Sequence, residues 1–375
     1  MSKLDELIAE LCPDGVEYKN LKEICGTITT GKLNANAMVE NGKYAFFTCD
    51  ATPFRIDSYA FDTEAILVSG NGSQVGHINY YKGKFNAYQR TYVLSNFNYT
   101  DVKYLLHYLK GYLRDYIMAH SKKGSVPYIT LPMLQNFKIP IPPLPVQNEI
   151  VRILDNFTEL TAELTAELTA RRKQYEYYRD LLLTFGDEVE LIAELCPDGV
   201  EYVRLAECCD IEDNKRKPVK SSLRIPGDTP YYGANNIQDY VEGYTHYGQY
   251  VLIAEDGSAS LENYSVQYVD GFFWANNHVH VIKGRKDLDT KFLYYYLTSF
   301  NFIPFLTGGT RAKLNKGNME EIQIPVPPLP VQQEIVRILD NFTELTAELT
   351  AELTARRKQY EYYRDKLLSF KEVTG

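Results

Sequence analysis

PPLPVQNEIVRILDNFTELTAELTAELTARRKQYEYYRD, residues Pro142 to Asp180, returns at Pro327 to Asp365 with one change, Asn148 to Gln333. The copies start 185 positions apart and divide the chain into two similar halves, so this repeat has to be read before any smaller motif. From Val146 to Phe185 there is no Gly or Pro, and Pro145 sits where a helix tolerates proline, at its start. Ala, Leu, Glu, Arg and Gln dominate the run, and all are strong helix formers. Apolar side chains recur at Ile150, Ile153, Phe157, Leu160, Leu164, Leu168, Tyr175, Tyr178, Leu182 and Phe185, with Arg171 in the one polar slot. Steps of three and four describe a heptad seam. Two consecutive steps of four, Leu160–Leu164–Leu168, make a stutter that locally unwinds a supercoil without ending it. A helix of this length spans about 60 Å at ~1.5 Å per residue.

Its natural partner is the other copy, and charge favours an antiparallel pair. Glu159, Glu163 and Glu167 form an acidic half, and Arg171, Arg172 and Lys173 open a basic one. Antiparallel packing sets the acidic half beside Arg356, Arg357 and Lys358, whereas parallel packing sets like charges together. The same charges would equally serve a solvated face, where an exposed pair contributes only ~0–1 kcal/mol.

A shorter repeat opens each half. LIAELCPDGVEY occupies Leu7–Tyr18 and again Leu191–Tyr202, a short helix followed by an Asp-Gly turn. Each half is thus a box, a unique region of about 125 residues, and a long helix. The unique regions differ in sequence but share an outline. Ala65–Val75 and Tyr250–Leu261 each read as an apolar strand ending in a polar Gly turn. Asn86–Leu94 and Phe273–Ile282 each read as an alternating strand. A helix follows at Val102–His120 or Lys291–Leu306, then a polar loop at 121–128 or 307–318. FKIPIPPL or IQIPVPPL closes each region as a short strand. The expectation is α/β, in the mixed α+β sense: two modules of one fold, packed as a pseudo-two-fold tandem repeat. The segments are 1–144, 145–187, 188–329 and 330–375.

With 375 residues the chain can bury substantial cores. No run of 18 apolar residues occurs, and MSKLDELIAEL reads as amphipathic rather than as a signal peptide. The six cysteines include no CxxC pair and no His spacing suited to zinc, which fits reduced thiols in the cytoplasm. The net charge of −9 conceals an asymmetry. Residues 19–144 carry 14 Lys/Arg against 8 Asp/Glu, and residues 203–329 carry 13 against 15, so the first region is +6 and the second −2. The remaining −13 lies in the repeated segments. Such a chain should bind DNA weakly alone and better with a basic partner.

One scaffold carrying two different surfaces points to two ligands held at a fixed separation. Amide and Arg side chains can bond bidentately to adenine and guanine edges. The candidates are Asn71, Gln74, Gln89, Arg90, Lys122, Lys123 and Tyr128 in the first region. In the second they are Asn235, Asn236, Asn276, Asn277, His278, Arg311, Lys313 and Lys316. Asn and Gly also serve turns, which is the competing reading for any one of them. Most of the 31 tyrosines should be packing; Tyr128 stands out because it adjoins Lys122 and Lys123.

The paired PLP-VQ-EIVRILDNF helices, the TAEL repeats and the LCPDGVEY boxes together resemble the specificity subunits of type I restriction–modification enzymes, in the subgroup with TAEL repeats. The resemblance covers the whole chain. It implies two target-recognition domains, about 19–144 and 203–329, separated by two long antiparallel coiled-coil helices. Each domain would read one half of a bipartite, asymmetric double-stranded DNA target, with helix length setting the unread spacer. Two methyltransferase subunits would dock on the helical regions, and translocase-nuclease subunits would join for restriction. S-adenosylmethionine, ATP and Mg²⁺ would belong to those partners, with no cofactor in this chain and no membrane.

Catalytic motifs do not compete strongly. There is no GxxxxGK[ST] loop and no Asn/Asp-Pro-Pro-aromatic tetrapeptide. Pro13-Asp14 with Glu17 and Lys19 echoes a nuclease core, but Val203 replaces the lysine in the second copy. A scaffold displaying two protein- or glycan-binding modules and an autonomous nuclease remain as other classes. The +6 region disfavours the first, and the missing carboxylate cluster disfavours the second.

Overall fold

The computed structural model describes residues 3–121, 127–185, 196–308 and 312–373. Two compact units divide the chain: Met1–Thr165 with Glu352–Gly375, and Ala166–Ala351. The boundaries fall inside the two long helices.

In the first unit, α1 (Lys3–Leu11) precedes β1 (Glu17–Asn20), α2 (Leu21–Ile24) and β2 (Cys25–Thr30). Strands β3 (Tyr44–Phe47), β4 (Phe54–Ile56), β5 (Phe61–Ser69), β6 (Ile78–Ala87) and β7 (Thr91–Phe97) follow, then α3 (Val102–His120), α4 (Leu131–Gln135) and β8 (Lys138–Ile141). The long helix α5 is Leu144–Leu182. Six strands form a sheet in the order β2-β7-β5-β6-β3-β4, and β1 pairs with β8 separately. Only β3 and β6 run parallel.

The second unit repeats this. It contains β9 (Glu201–Arg204), α6 (Leu205–Cys208), β10 (Cys209–Ile211), β11 (Pro226–Tyr232), β12 (Ile237–Val241), β13 (His246–Ala254), β14 (Val266–Ala275) and β15 (Val279–Gly284). Then come α7 (Thr290–Ser299), α8 (Lys316–Glu320), β16 (Gln323–Val326) and α9 (Leu329–Leu367). Its sheet runs β10-β15-β13-β14-β11-β12, the same order position for position, with β9 on β16 apart. Two sequences with different loops therefore adopt one mixed α+β topology.

Alternation along the central strand explains how each sheet is covered. In β5, Ile66 and Val68 pack into the core that includes α3 and the start of α5, while Ala65 and Leu67 join Phe47, Phe85 and Val93 on the other face. In β13, Val251 and Ile253 face α7 and α9, and Tyr250 and Leu252 face Phe273 and Val281. Both long helices are unbroken for 39 residues. Within the first unit the start of α5 meets the end of α9, with Phe157 stacked on Tyr363 at 5.3 Å. Within the second the end of α5 meets the start of α9, with Tyr178 stacked on Phe342 at 5.5 Å. The helices therefore pair antiparallel. The ion pairs of Arg171 and Arg356 run along their own helices, to Glu167 and Glu352, rather than across the seam.

The repeated PLPVQ and ILDNF segments fasten each module to its helix. Gln147 is fully buried; its side chain accepts from Asp101 N at 2.8 Å and donates to Pro142 O at 2.7 Å and Tyr99 O at 3.1 Å. Gln332 does the same for Asp289 N, Pro327 O and Asp287 O. Asp155 accepts from Lys103 and pairs with His107, and Asp340 accepts from Lys291 and Tyr295. Asp101 and Asp289 cap α3 and α7.

Three local expectations change. Asn86–Leu94 and Phe273–Ile282 are not single strands, because a turn interrupts each, with Thr91 N bonding Tyr88 O and the Asn276 side chain accepting from His278 N. The helix expected to reach Leu306 ends at Ser299, where Asn301 accepts from Ile303 N and Pro304 sits in a separate helical turn. Residues 316–318, expected at the end of a loop, instead open the helix Lys316–Glu320 under an Asn315 cap. Among the described residues no helix is long and apolar enough to cross a membrane.

Candidate nucleic-acid interface

Four chain segments converge at one end of each sheet, and the backbone bonds that hold them correspond one to one. In the first unit, Tyr88 N bonds Phe47 O (2.9 Å), Gly70 N bonds Arg90 O (2.9 Å) and Ile129 N bonds Gly70 O (2.8 Å). In the second, Asn276 N bonds Tyr232 O (3.2 Å), Glu255 N bonds His278 O (2.8 Å) and Leu314 N bonds Glu255 O (2.8 Å). Antiparallel bridges Asn71–Tyr128 and Asp256–Lys313 complete the two frames. Gly72 and Gly257 follow with φ of 84° and 70°, a left-handed turn that glycine adopts without strain. Position 71 thus corresponds to 256, 90 to 278, and 128 to 313.

On the first frame the structure brings together Asn71, Gln89, Arg90 and Tyr128. Asn71 is half-buried and its Oδ1 accepts the Cys49 thiol at 3.1 Å. Gln89 and Arg90 are exposed, and Tyr128 is 48% exposed. Among the described residues Arg90 has no carboxylate partner. Gln74 lies further along the same loop, in an open cleft of about 280 Å³ shared with Gly76, His77, Ile78, Lys110 and Arg114. Lys122 and Lys123 lie outside the described residues.

On the second frame the amides divide by role. Asn235 braces the 257–259 loop from both ends of its amide, donating to Gly257 O and accepting from Ala259 N, each at 2.8 Å. Asn236 accepts from Ile237 N at the start of β12, and Asn276 is buried in the turn. Asn277 and His278 are exposed, and His278 Nδ1 meets Asp256 Oδ1 at 2.6 Å. Lys313 pairs with Glu255 at 2.8 Å, and Arg216 reaches the same carboxylate at 2.7 Å. Burial opposes ionisation of Glu255, yet these two cations hold its carboxyl below the ordinary range. Lys316 pairs with Glu320 on its own helix. Arg311 lies outside the described residues.

Sequence reasoning missed Cys49, Asp256 and Arg216. No local pattern marks them, because each reaches the site only through strand order. The first site therefore offers hydrogen-bond donors and a guanidinium with no carboxylate partner among the described residues, and the second offers a mesh in which bases and acids are paired. Both are polar, exposed and mounted on turns held by backbone bonds at the ends of strands, a surface that suits base edges and phosphates better than an enclosed substrate.

The family model described as "Type I restriction modification DNA specificity domain" matches the chain twice, at residues 13–171 and 197–356. A Haemophilus influenzae protein named as a type I restriction enzyme specificity subunit is 64% identical over 182 residues. That match spans 46% of this chain and 47% of the Haemophilus protein, about half of each. The Escherichia coli type I restriction enzyme EcoDI specificity subunit is 30% identical over 355 residues, spanning 83% of this chain and 77% of that one. The crystal structure of a type I restriction–modification S subunit from M. genitalium shares the fold with a TM-score of 0.70 at 18% identity, over 94% of this chain and 96% of that one.

Proposed function

The chain belongs to the type I restriction–modification DNA specificity family, and from that premise we propose that it is the DNA sequence-recognition subunit of a type I complex, each module reading one half of a bipartite, asymmetric target. The observation that carries this reading is the pair of matching frames: one backbone arrangement, two different sets of exposed polar side chains. Identical supports with unlike surfaces are what two half-sites of different sequence require. The chain recognises and its partners catalyse. Two methyltransferase subunits dock on the helical regions and hold S-adenosylmethionine; translocase-nuclease subunits hold ATP and Mg²⁺; the complex acts in the cytoplasm.

Segments 1–144 and 188–329 carry the reading modules, and 145–187 and 330–375 the spacer helices. Asn71, Gln89, Arg90, Tyr128, Asn277, His278 and Lys313 face the DNA from the frames. Lys122, Lys123 and Arg311 are DNA-contact candidates by their charge alone, Gln74 and Lys316 flank the frames, and Asn235, Asn236 and Asn276 shape the loops. Exchange of residues 19–144 for the module of another member, followed by long-read mapping of methylated adenines, tests the reading. One half of the target should change and the other stay. A change in both halves, or in neither, would overturn it.

A further inference from the structure

We propose that Asp256 and His278 are the specificity-determining pair of the second module and select a base presenting an exocyclic amine, cytosine N4 or adenine N6. Asn71 and Arg90 occupy the same two reading positions in the first module. The inference rests on the DNA-reading role proposed above and narrows it to two residues per half-site.

The correspondence of positions comes from the backbone. Gly70 N–Arg90 O and Glu255 N–His278 O are the same bond in the two frames, and the Asn71–Tyr128 and Asp256–Lys313 bridges are the same bridge. Whatever step of the duplex meets one pair of positions, the other pair meets its counterpart in the other half-site.

The chemistry at the two positions is opposite. Asp256 and His278 lie 2.6 Å apart with side chains 40% and 47% exposed. A carboxylate only accepts, so Nδ1 of the ring carries the shared hydrogen. His278 is the only hydrogen-bond partner of the Asp256 side chain among the described residues, so its second oxygen is a further acceptor. That free carboxylate oxygen repels phosphate oxygens and suits a base edge that donates, the exocyclic amine of cytosine or adenine. In the first module, Arg90 supplies donors and the Asn71 amide adds its NH₂, while the Cys49 thiol lies within reach of both Asn71 Oδ1 and Arg90 O. Donors suit guanine O6 and N7.

A structural role for Asp256–His278 is the competing explanation, and the neighbouring groups argue against it. The turn is already held by the buried Asn276, and the 257–259 loop by Asn235. The buried pair His280–Asp213, with exposures of 1% and 10%, ties β15 to the segment after β10. Asp256–His278 stands outside these supports.

The test uses the full chain in complex with its methyltransferase partner. Methylation mapping first gives the wild-type target; binding is then measured against duplexes carrying every base at every position of both half-sites. The double variant Asp256→Asn/His278→Arg should change base preference roughly tenfold to a hundredfold at one or two adjacent positions of one half-site, and leave the other half unchanged. Unchanged preferences, or a uniform loss across all duplexes, would overturn the proposal, the latter making the pair a phosphate contact or a brace. Should that variant fail to fold, the reciprocal Asn71→Asp/Arg90→His decides on the same panel by the same criteria. Exchange of residues 203–329 is the control. If the whole module moves one half of the target and the double variant moves nothing, this inference fails alone; if the module exchange also moves nothing, the DNA-reading role fails with it.

Discussion

Gln147 carries more of the architecture than its neighbours in the repeat. It is fully buried, and its amide satisfies groups in two segments that would otherwise end unpaired beneath the module. It also fixes the turn in which Tyr99 adopts φ of 60°, a left-handed conformation costly for a bulky residue. Gln147→Leu would strand a buried amide and two carbonyls, at a cost of about 2–4 kcal/mol. A denaturant midpoint of the variant within a few tenths of a kcal/mol of wild type would show that water replaces the side chain. His107 supplies a second residue-scale case. Burial pushes its imidazole below the ordinary value, against the opposing bond to Asp155. The unfolded chain then binds the proton more readily, so stability falls as pH drops from about 7 through the ordinary histidine range towards the lower folded value. The second unit places Tyr295 at this position, bonded to Asp340 at 2.6 Å, and burial pushes that phenol upward, far from this range. His107→Tyr should therefore flatten the pH 5–7 dependence by at most about 1.4 kcal/mol per pH unit. Urea midpoints at the two pH values measure it. Some slope persists, because burial also lowers His246.

At the scale of elements, the long helices and α3 were legible from the chain because their apolar periods run uninterrupted between clear signals. Asp101 starts α3, and Pro145 stands near the start of α5. The strands around Asn86 and Phe273 were not, because a turn interrupts each, closed by the Thr91 N–Tyr88 O bond in one and braced by the Asn276 side chain in the other, and alternation continues across it. The candidate site was half legible for the same reason. Exposed Gln89, Arg90, Asn277 and His278 sit on one turn per module, whereas Asp256 and Cys49 arrive through strand order, which no local pattern encodes. The expected cross-seam charge pairing was a poorer guide than the apolar positions: aromatic stacking marks the seam, and charges pair along each helix. This bears on the TAEL repeats. One extra TAEL in each helix adds roughly 6 Å and about 40° of rotation, a little more than a turn. The seam keeps apolar residues in register, because four-residue steps already occupy Leu160–Leu164–Leu168. Methylation mapping of this insertion should show a target whose halves are unchanged and whose spacer grows by one or two base pairs at ~3.4 Å each. An unchanged spacer would mean that the helices do not set it.

At the scale of the whole molecule, charge is divided unequally between two modules of one topology, and this should appear in how binding responds to salt. Each phosphate neutralised releases counterions and adds about 0.9 to the slope of log K against log salt. In the second module several cations are already paired with the protein's own carboxylates: Lys215 and Lys283 with Glu212, Arg216 and Lys313 with Glu255, Arg285 with Asp210. Burial works against ionisation of Glu212, but Lys215, Tyr250 and Lys283 together pull its carboxyl down to about 2, so it stays charged throughout the neutral range and keeps its cations engaged. In the first module Arg90 and Arg114 have no carboxylate partner among the described residues, and Arg114 lines the cleft beside the 70–77 loop. Phosphate contact should thus be dominated by the +6 module, with the −2 module adding discrimination more than affinity. Arg114→Ala should lower the magnitude of the slope by about 0.9, measured by anisotropy with duplex target from 50 to 200 mM salt in the methyltransferase complex. Lys313→Ala should lower it by less than half as much, because its charge is already balanced by Glu255. Equal changes for the two variants would show that the ion pairs open on DNA, and the division of labour between the modules would then have to rest on the base-facing side chains alone.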